Sequence, residues 1–175
     1  MQQEGQWLTE LVREIPDYPK PGVTFRDITP LLGNAGGFSR AVDELVHRFH
    51  GVKVDRVLGM EARGFILAAP VAYRLHAGFI PVRKAGKLPW AVVREEYATE
   101  YGTDKLELHR DAIHPNERIL IIDDVLATGG TAEATCRLVE ELGGIVVGLG
   151  FLIELPQLGG RVRLGDRRVE SLATY

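Results

Sequence analysis

Asp123 and Asp124 stand side by side at the end of an apolar run, and Thr128-Gly129-Gly130-Thr131 follows almost at once (IIDDVLATGGT, residues 121–131). Two adjacent carboxylates at the end of a buried strand repel each other and lose hydration, so they need a compensating partner. Neighbouring strand side chains face opposite sides of a sheet, and the pair is expected to splay rather than clamp one metal ion. A sugar diol suits at least one of them, because hydroxyls donate to carboxylates; a Mg²⁺ ion on the same ligand would supply positive charge. A lone Asp here would more simply cap a turn. In the Thr-Gly-Gly-Thr loop, glycines let the backbone approach a ligand, and the free N–H groups of a starting helix suit an oxyanion. Thr128 and Thr131 add hydroxyl donors, so a phosphate monoester can be held by amides and the helix dipole without a lysine. No G-K-[ST] follows, which excludes a Walker loop, and no G-x-G-x-x-G occurs, which excludes a dinucleotide fingerprint. A phosphate beside a diol describes a ribose 5-phosphate.

Such a loop must be carried by a strand and a helix, and the rest of the chain supplies them. Trp7, Leu8, Leu11, Val12 and Ile15 fall at helical spacing and predict a helix over 4–15, ended by Pro16, Pro19 and Pro21 in an extended segment. Phe38, Val42, Leu45, Val46 and Phe49 stripe a second helix. Strands are expected at 54–60, 79–82, 118–122 and 145–155, and helices at 64–75 and 131–142, the last stopped by Gly143-Gly144. Alternating elements with continuous apolar strands give an α/β protein, a central mainly parallel sheet with helices on both faces. Ligands in such sheets bind beyond the C-terminal strand ends, where the Asp-Asp loop sits. Residues 84–108 show no clear period, and an unstructured stretch of that length reads as a lid.

The 175 residues suffice for one domain with a real core. A formal charge of −3 disfavours a nucleic-acid partner. A single cysteine, Cys136, excludes an intrachain disulfide and fits a reducing compartment. With no signal-like N-terminus and no bilayer-spanning run, the expected location is cytoplasmic, with no membrane partner. Cys136 reads as packing, and His47, His50, His76, His109 and His114 have no metal spacing.

ILIIDDVLATGGT closely resembles the PRPP (phosphoribosyl pyrophosphate) motif of the type I phosphoribosyltransferases. PGVTFRDITPLL (21–32), GMEARGF (59–65), RKAGKLP (83–89) and EYGTDKLELHRDAI (100–113) resemble segments of the adenine-specific branch of that family. The resemblance implies the type I fold over 1–175, with 1–33 forming a small N-terminal hood over the base pocket and 84–108 a flexible catalytic lid. It implies that adenine and PRPP give AMP and pyrophosphate in a homodimer. Ala127, Thr128, Gly129, Gly130 and Thr131 would cradle the 5-phosphate, and Asp123 and Asp124 hold the ribose hydroxyls. Mg²⁺ would arrive on PRPP, with no direct protein ligand beyond contact of Asp123 and Asp124 through ribose or water. Ala62, Arg63, Arg83, Lys84 and Lys87 would form the pyrophosphate side, with a non-proline cis peptide in the GMEARG turn. Taken without the resemblance, Arg83, Lys84 and Lys87 read as a solvated basic turn.

The base is argued from absences in the loop. Enzymes for 6-oxopurines commonly carry Asp where this chain has Ala127 and Lys where it has Gly130, so a proton-handling group must come from elsewhere. The resemblance assigns this to Glu100, near the purine N7, with Tyr101 beside it. Val23, Thr24, Phe25 and Arg26 would form the adenine pocket, Arg26 stacking or bracing; an ion pair of Arg26 with Asp27 or a surface acid is the competing reading. Trp90 and Ala62 depart from the family pattern, which commonly has a small residue and Ser there. The rival functions are transfer to guanine, xanthine or orotate, and a PRPP-sensing regulator. Ala127 and Gly130 oppose the 6-oxopurine enzymes, and the lack of a DNA-binding region opposes the regulator.

Overall fold

The computed structural model describes residues 5–99 and 102–175. The N-terminal helix is much shorter than its apolar spacing predicts: α1 spans only Gln6–Thr9. Thr9 Oγ1 donates back to the Gln6 carbonyl at 2.8 Å. Ile15 precedes Pro16, whose ring disfavours helical backbone before it. Residues Arg13–Ile15 instead form strand β1, paired antiparallel with β2 (Phe25–Asp27). Leu8 and Val12 still reach the core. After β2 come α2 (Thr29–Gly33) and α3 (Ala35–Arg48), the latter capped by Asn34, whose side chain accepts from Gly37 N at 2.8 Å.

The remaining strands are β3 (Arg56–Met60), β4 (Gly78–Lys84), β5 (Val92–Thr99), β6 (Gly102–His109), β7 (Arg118–Leu126), β8 (Ile145–Glu154) and β9 (Val169–Thr174). They form a seven-stranded sheet among the described residues, in the order β5-β6-β4-β3-β7-β8-β9. The strands from β4 to β9 in that order pair parallel, and the β5–β6 hairpin joins the β4 edge antiparallel. Helices α3 and α4 (Arg63–Leu75) cover one face, packing Leu45, Phe49, Leu67 and Val71 on Leu120 and Ile122. Helix α5 (Gly130–Glu141) covers the other, with Leu138 and Val139 among Ile119, Ile121 and Phe151. Alternation along β7 thus sends successive residues to opposite layers. Two short elements, a 3₁₀ turn at Pro156–Leu158 and α6 (Gly160–Leu164), link β8 to β9.

Two departures from the sequence reading bear on function. Strand β7 runs past Ile122 to Leu126, because Val125 and Leu126 find partners in Ile153 and Glu154. The two acids therefore lie within the strand rather than beyond it. The stretch 84–108 is no structureless loop: most of it is the β5–β6 hairpin. Its period of two is hidden because charged residues fill one face and one of them, Glu107, is itself buried between Leu106 and Leu108. Val93, Tyr97, Leu106 and Leu108 are buried, whereas Arg94 faces Glu107 and Glu96 faces Lys105 across the strands as ion pairs.

Candidate active site

The C-terminal ends of the parallel strands open into a cavity of about 610 Å³. Val23, Thr24, Phe25 and Arg26 line one wall; Ala62, Arg63 and Lys84 line another; Asp123, Asp124, Ala127 and Thr131 line the floor. Against it lies a pocket of about 80 Å³ walled by Thr128, Gly129, Gly130 and Thr131. Most residues that the sequence nominated thus meet in one place. Glu100 and Tyr101 lie outside the described residues.

The small pocket is the start of α5. Gly129, at φ +76°, caps the helix without any side-chain acceptor, so the first amides point outward. A Cβ at Gly129 would stand 2.8 Å from the Gly160 carbonyl oxygen, and one at Gly160 only 2.3 Å from the Ala127 carbonyl. The loop therefore leans backbone to backbone on the start of α6. Gly130 is constrained from the other side: a Cβ there would lie 3.2 Å from the Ala98 carbonyl and 3.5 Å from the Tyr97 ring. No lysine fits at that position without moving the hairpin.

Asp124 is buried and meets Arg63 Nε at 2.6 Å. Asp123 lines both cavities, and its Oδ1 accepts the Asp124 amide at 2.9 Å. Burial and, next, the adjacent Asp124 charge push the Asp123 carboxyl well above the usual range. Gly64 permits this arrangement, since a Cβ there would come within 2.7 Å of Asp123 Oδ1. Arg63 also lies 5.2 Å over the Phe25 ring, tying the acid pair to the apolar wall.

The basic side is not a free cluster. The Glu61–Ala62 peptide is cis, as the resemblance implies, and the Glu61 carboxylate gathers the donors around it. Arg83 Nε donates at 3.1 Å, the Lys84 amide at 2.9 Å, and the Lys87 ammonium also binds it. Burial alone would raise the Glu61 carboxyl, but Lys87, the Lys84 amide and Arg83 outweigh it and hold it at about 2. Arg83 and Lys87 consequently stand behind Glu61 rather than lining the cavity. Lys84 does line it, with its ammonium 2.9 Å from Asp104. That ion pair holds Asp104 below the usual carboxylate range and raises Lys84.

Arg26 reaches the cavity, but its guanidinium lies 4.4 Å over the Tyr175 ring and 2.9 Å from Glu14. It pairs with a surface acid, and not with Asp27, whose carboxylate accepts from the Thr29 amide and hydroxyl. Residues that sequence reasoning missed are Glu61, Tyr97, Leu106, Val125, Leu155 and Leu158. Glu61 was visible as the one acid inside GMEARGF, facing a basic turn in need of counter-charge. Leu155 and Leu158 follow the end of β8, where strand-end logic also places ligands. Cys136 is buried, and burial pushes its thiol up to about 12, in keeping with packing.

A sheet of this order, with an acid pair, an amide cradle and a basic turn at its carboxyl edge, is a phosphoribosyltransferase arrangement. The phosphoribosyl transferase domain matches residues 32–173, and the chain belongs to that family. An adenine phosphoribosyltransferase of Rhizobium meliloti is 56% identical over 157 residues, 90% of this chain and 87% of the relative. The solved adenine phosphoribosyltransferase of Thermoanaerobacter pseudethanolicus is 48% identical, covers 97% of this chain and 98% of its own, and superposes with a TM-score of 0.94. That of Saccharomyces cerevisiae, solved with an imino-altritol bisphosphate and adenine, is 37% identical over 99% of this chain and 100% of its own, with a TM-score of 0.92. Within the family, the chain belongs to the adenine phosphoribosyltransferases.

Proposed function

We propose that the cleft transfers the 5-phosphoribosyl group of PRPP to adenine, giving AMP and pyrophosphate. The observation that carries this is the convergence, around one cavity, of an amide cradle, an acid pair and a base-sized apolar wall. The 5-phosphate sits in the cradle of Ala127 to Thr131, held by the amides at the start of α5. Asp123 and Asp124 accept from the ribose hydroxyls, and Arg63 fixes Asp124. The pyrophosphate lies toward Ala62, Arg63 and Lys84, with Arg83 and Lys87 drawn from Glu61 as the anion arrives. The base rests between Val23–Phe25 and Leu155 and Leu158.

In the reaction the bond from the anomeric carbon to the pyrophosphate oxygen breaks and the bond to adenine nitrogen forms. Positive charge develops on the sugar between the two events, and the carboxylates beneath it are placed to stabilise that charge. Adenine gives up its imidazole proton, and Glu100, acting at N7, handles it with Tyr101 alongside. The acid pair is a hard oxygen donor set suited to Mg²⁺ through water or the diol, and the ion borne by PRPP would neutralise the leaving pyrophosphate. The hairpin screens the reacting centre from water.

Base choice follows from what the cleft lacks. Ala127 and Gly130 place no ionisable group on the purine, and Ala98 closes the space beyond Gly130. We assign the enzyme to the cytoplasm, consistent with its single buried thiol, and to a homodimer, for which exposed Ile66 and Tyr73, two turns apart on α4, offer an apolar strip. A pyrophosphate-release assay with adenine, hypoxanthine, guanine, xanthine and orotate tests the assignment. Turnover is expected with adenine alone; equal turnover with a 6-oxopurine, or none with any base, overturns it.

A further inference from the structure

Tyr175 follows β9 and does not line the cleft, yet it is joined to both walls proposed for the base. Its ring face carries the Arg26 guanidinium at 4.4 Å. Arg26 is the neighbour of Phe25 in β2 and stands opposite Glu14 of β1 in the hairpin register. The Tyr175 amide donates to the Glu154 carbonyl at 3.1 Å, at the end of β8 and one residue before Leu155. The β1–β2 pair is a separate two-stranded sheet, so among the described residues no ladder of backbone hydrogen bonds fixes its distance from β8. Tyr175 supplies that tie. The ring holds Arg26 more firmly than the acid does. Glu14 lies 2.9 Å from Arg26 Nη1, but the Glu14 side chain is 57% exposed and water screens the pair. Arg26 Nε and Nη1 are buried and make no hydrogen bond among the described residues. A cation with so little water around it gains most from an aromatic face. The Tyr175 hydroxyl is also buried without a hydrogen-bond partner among the described residues, so the ring and not its polar tip makes the contact.

We propose that Tyr175 is a positioning residue that sets the width of the base slot, seating Arg26, and with it Phe25, at a fixed distance from Leu155. The inference rests on the placement of the base proposed above. Two apolar walls attract a flat ring fully only when both touch it, and a small gap on one side forfeits much of that attraction. A rigid aromatic side chain suits a spacer, because it has few torsions to lose on ordering.

Ring and hydroxyl separate by mutation. Tyr175→Leu removes the ring and keeps the backbone bond to Glu154. Its KM for adenine and its Kd for AMP are expected to rise about tenfold, the scale of one desolvated cation–aromatic contact. Its KM for PRPP and its Kd for ribose 5-phosphate, neither of which carries a base, should stay at the wild-type values. Tyr175→Phe keeps the ring and drops only an unpartnered hydroxyl, so a wild-type KM for adenine and a Tm at or above wild type are expected. Arg26→Met removes the cation from the other side and should give the same split between AMP and ribose 5-phosphate, which keeps the claim testable if Tyr175→Leu does not fold. An unchanged AMP affinity in either ring or cation variant, an equal loss for ribose 5-phosphate, or a Tyr175→Phe protein as impaired as Tyr175→Leu would each overturn the inference alone. A wild-type protein that binds AMP no more tightly than ribose 5-phosphate by calorimetry would overturn the placement of the base and this inference with it.

Discussion

Replacing Asp124 with Asn probes the acid pair at its most constrained atom. The Asp124 side chain is 6% exposed and its partner Arg63 is 41% exposed. The substitution removes the carboxylate that accepts from ribose and leaves Arg63 without its counter-charge. Hydrogen bonds to charged groups contribute roughly 1.5–3 kcal/mol, so PRPP should bind about 10–150-fold more weakly. The freed Arg63 cation works in the opposite direction, attracting the pyrophosphate. Being largely solvated, it contributes at the exposed-pair level of roughly 0–1 kcal/mol and does not reverse the sign. Adenine affinity should stay near the wild-type value, because no base contact is removed.

The same variant has a pH signature. In the wild type, Asp123 is raised well above the usual carboxylate range by burial and by Asp124. Folding therefore favours its protonated form, and its contribution to stability declines as pH rises from the unfolded carboxylate range through the folded value. PRPP binding needs the ionised acid and falls as pH drops through that raised value. Without the Asp124 charge the midpoint of that fall should move to lower pH. Calorimetric titration of PRPP and of adenine as a function of pH, upward from the ordinary carboxylate range, measures both effects. Unchanged PRPP affinity, an equal loss for adenine, or an unmoved midpoint would refute the role given to the pair.

Glu100→Gln should lower turnover by roughly 10²–10⁴ while PRPP affinity and Tm stay near wild type; a lower Tm with turnover intact would mark a packing role instead. Gly129→Val forces a side chain onto a φ of +76° and into the Gly160 backbone, so Tm should fall together with AMP affinity, read by melting curves and calorimetry. Glu61 is held at about 2, so its stabilising contribution is full above the ordinary carboxylate range and lost as pH falls toward 2. The Tm difference between wild type and Glu61→Gln should therefore narrow over that acid window, and a constant difference would contradict the clamp.

What could be read from the chain alone followed from local chemistry. The acid pair, the glycine loop and the basic turn are contiguous residue patterns, and each carries its own physical reason. The parallel sheet was legible because doubly covered strands are continuous apolar runs. The β5–β6 hairpin was not, since its alternation is written in Arg94, Glu96, Lys105 and Glu107, whose pairing across strands only the fold reveals. Strand β9 escaped for a related reason: an edge strand with Glu170 and Ser171 has no apolar run to announce it. Glu61 as a clamp depends on contacts between distant segments.

The facing glycines at 129 and 160 bear on how such an enzyme can change over generations. A motif this contiguous invites treatment as a cassette, to be lifted into another strand–helix junction. Here the cassette includes an unseen second piece, the chain reversal before α6, whose backbone occupies the space a side chain on the loop would need. Drift at either glycine is blocked unless the other segment retreats, and a retreat would leave the loop without a backing. Transplantation should then succeed only when the segment from Leu155 to Leu164 travels with the loop, and the two segments should change together or not at all as lineages diverge.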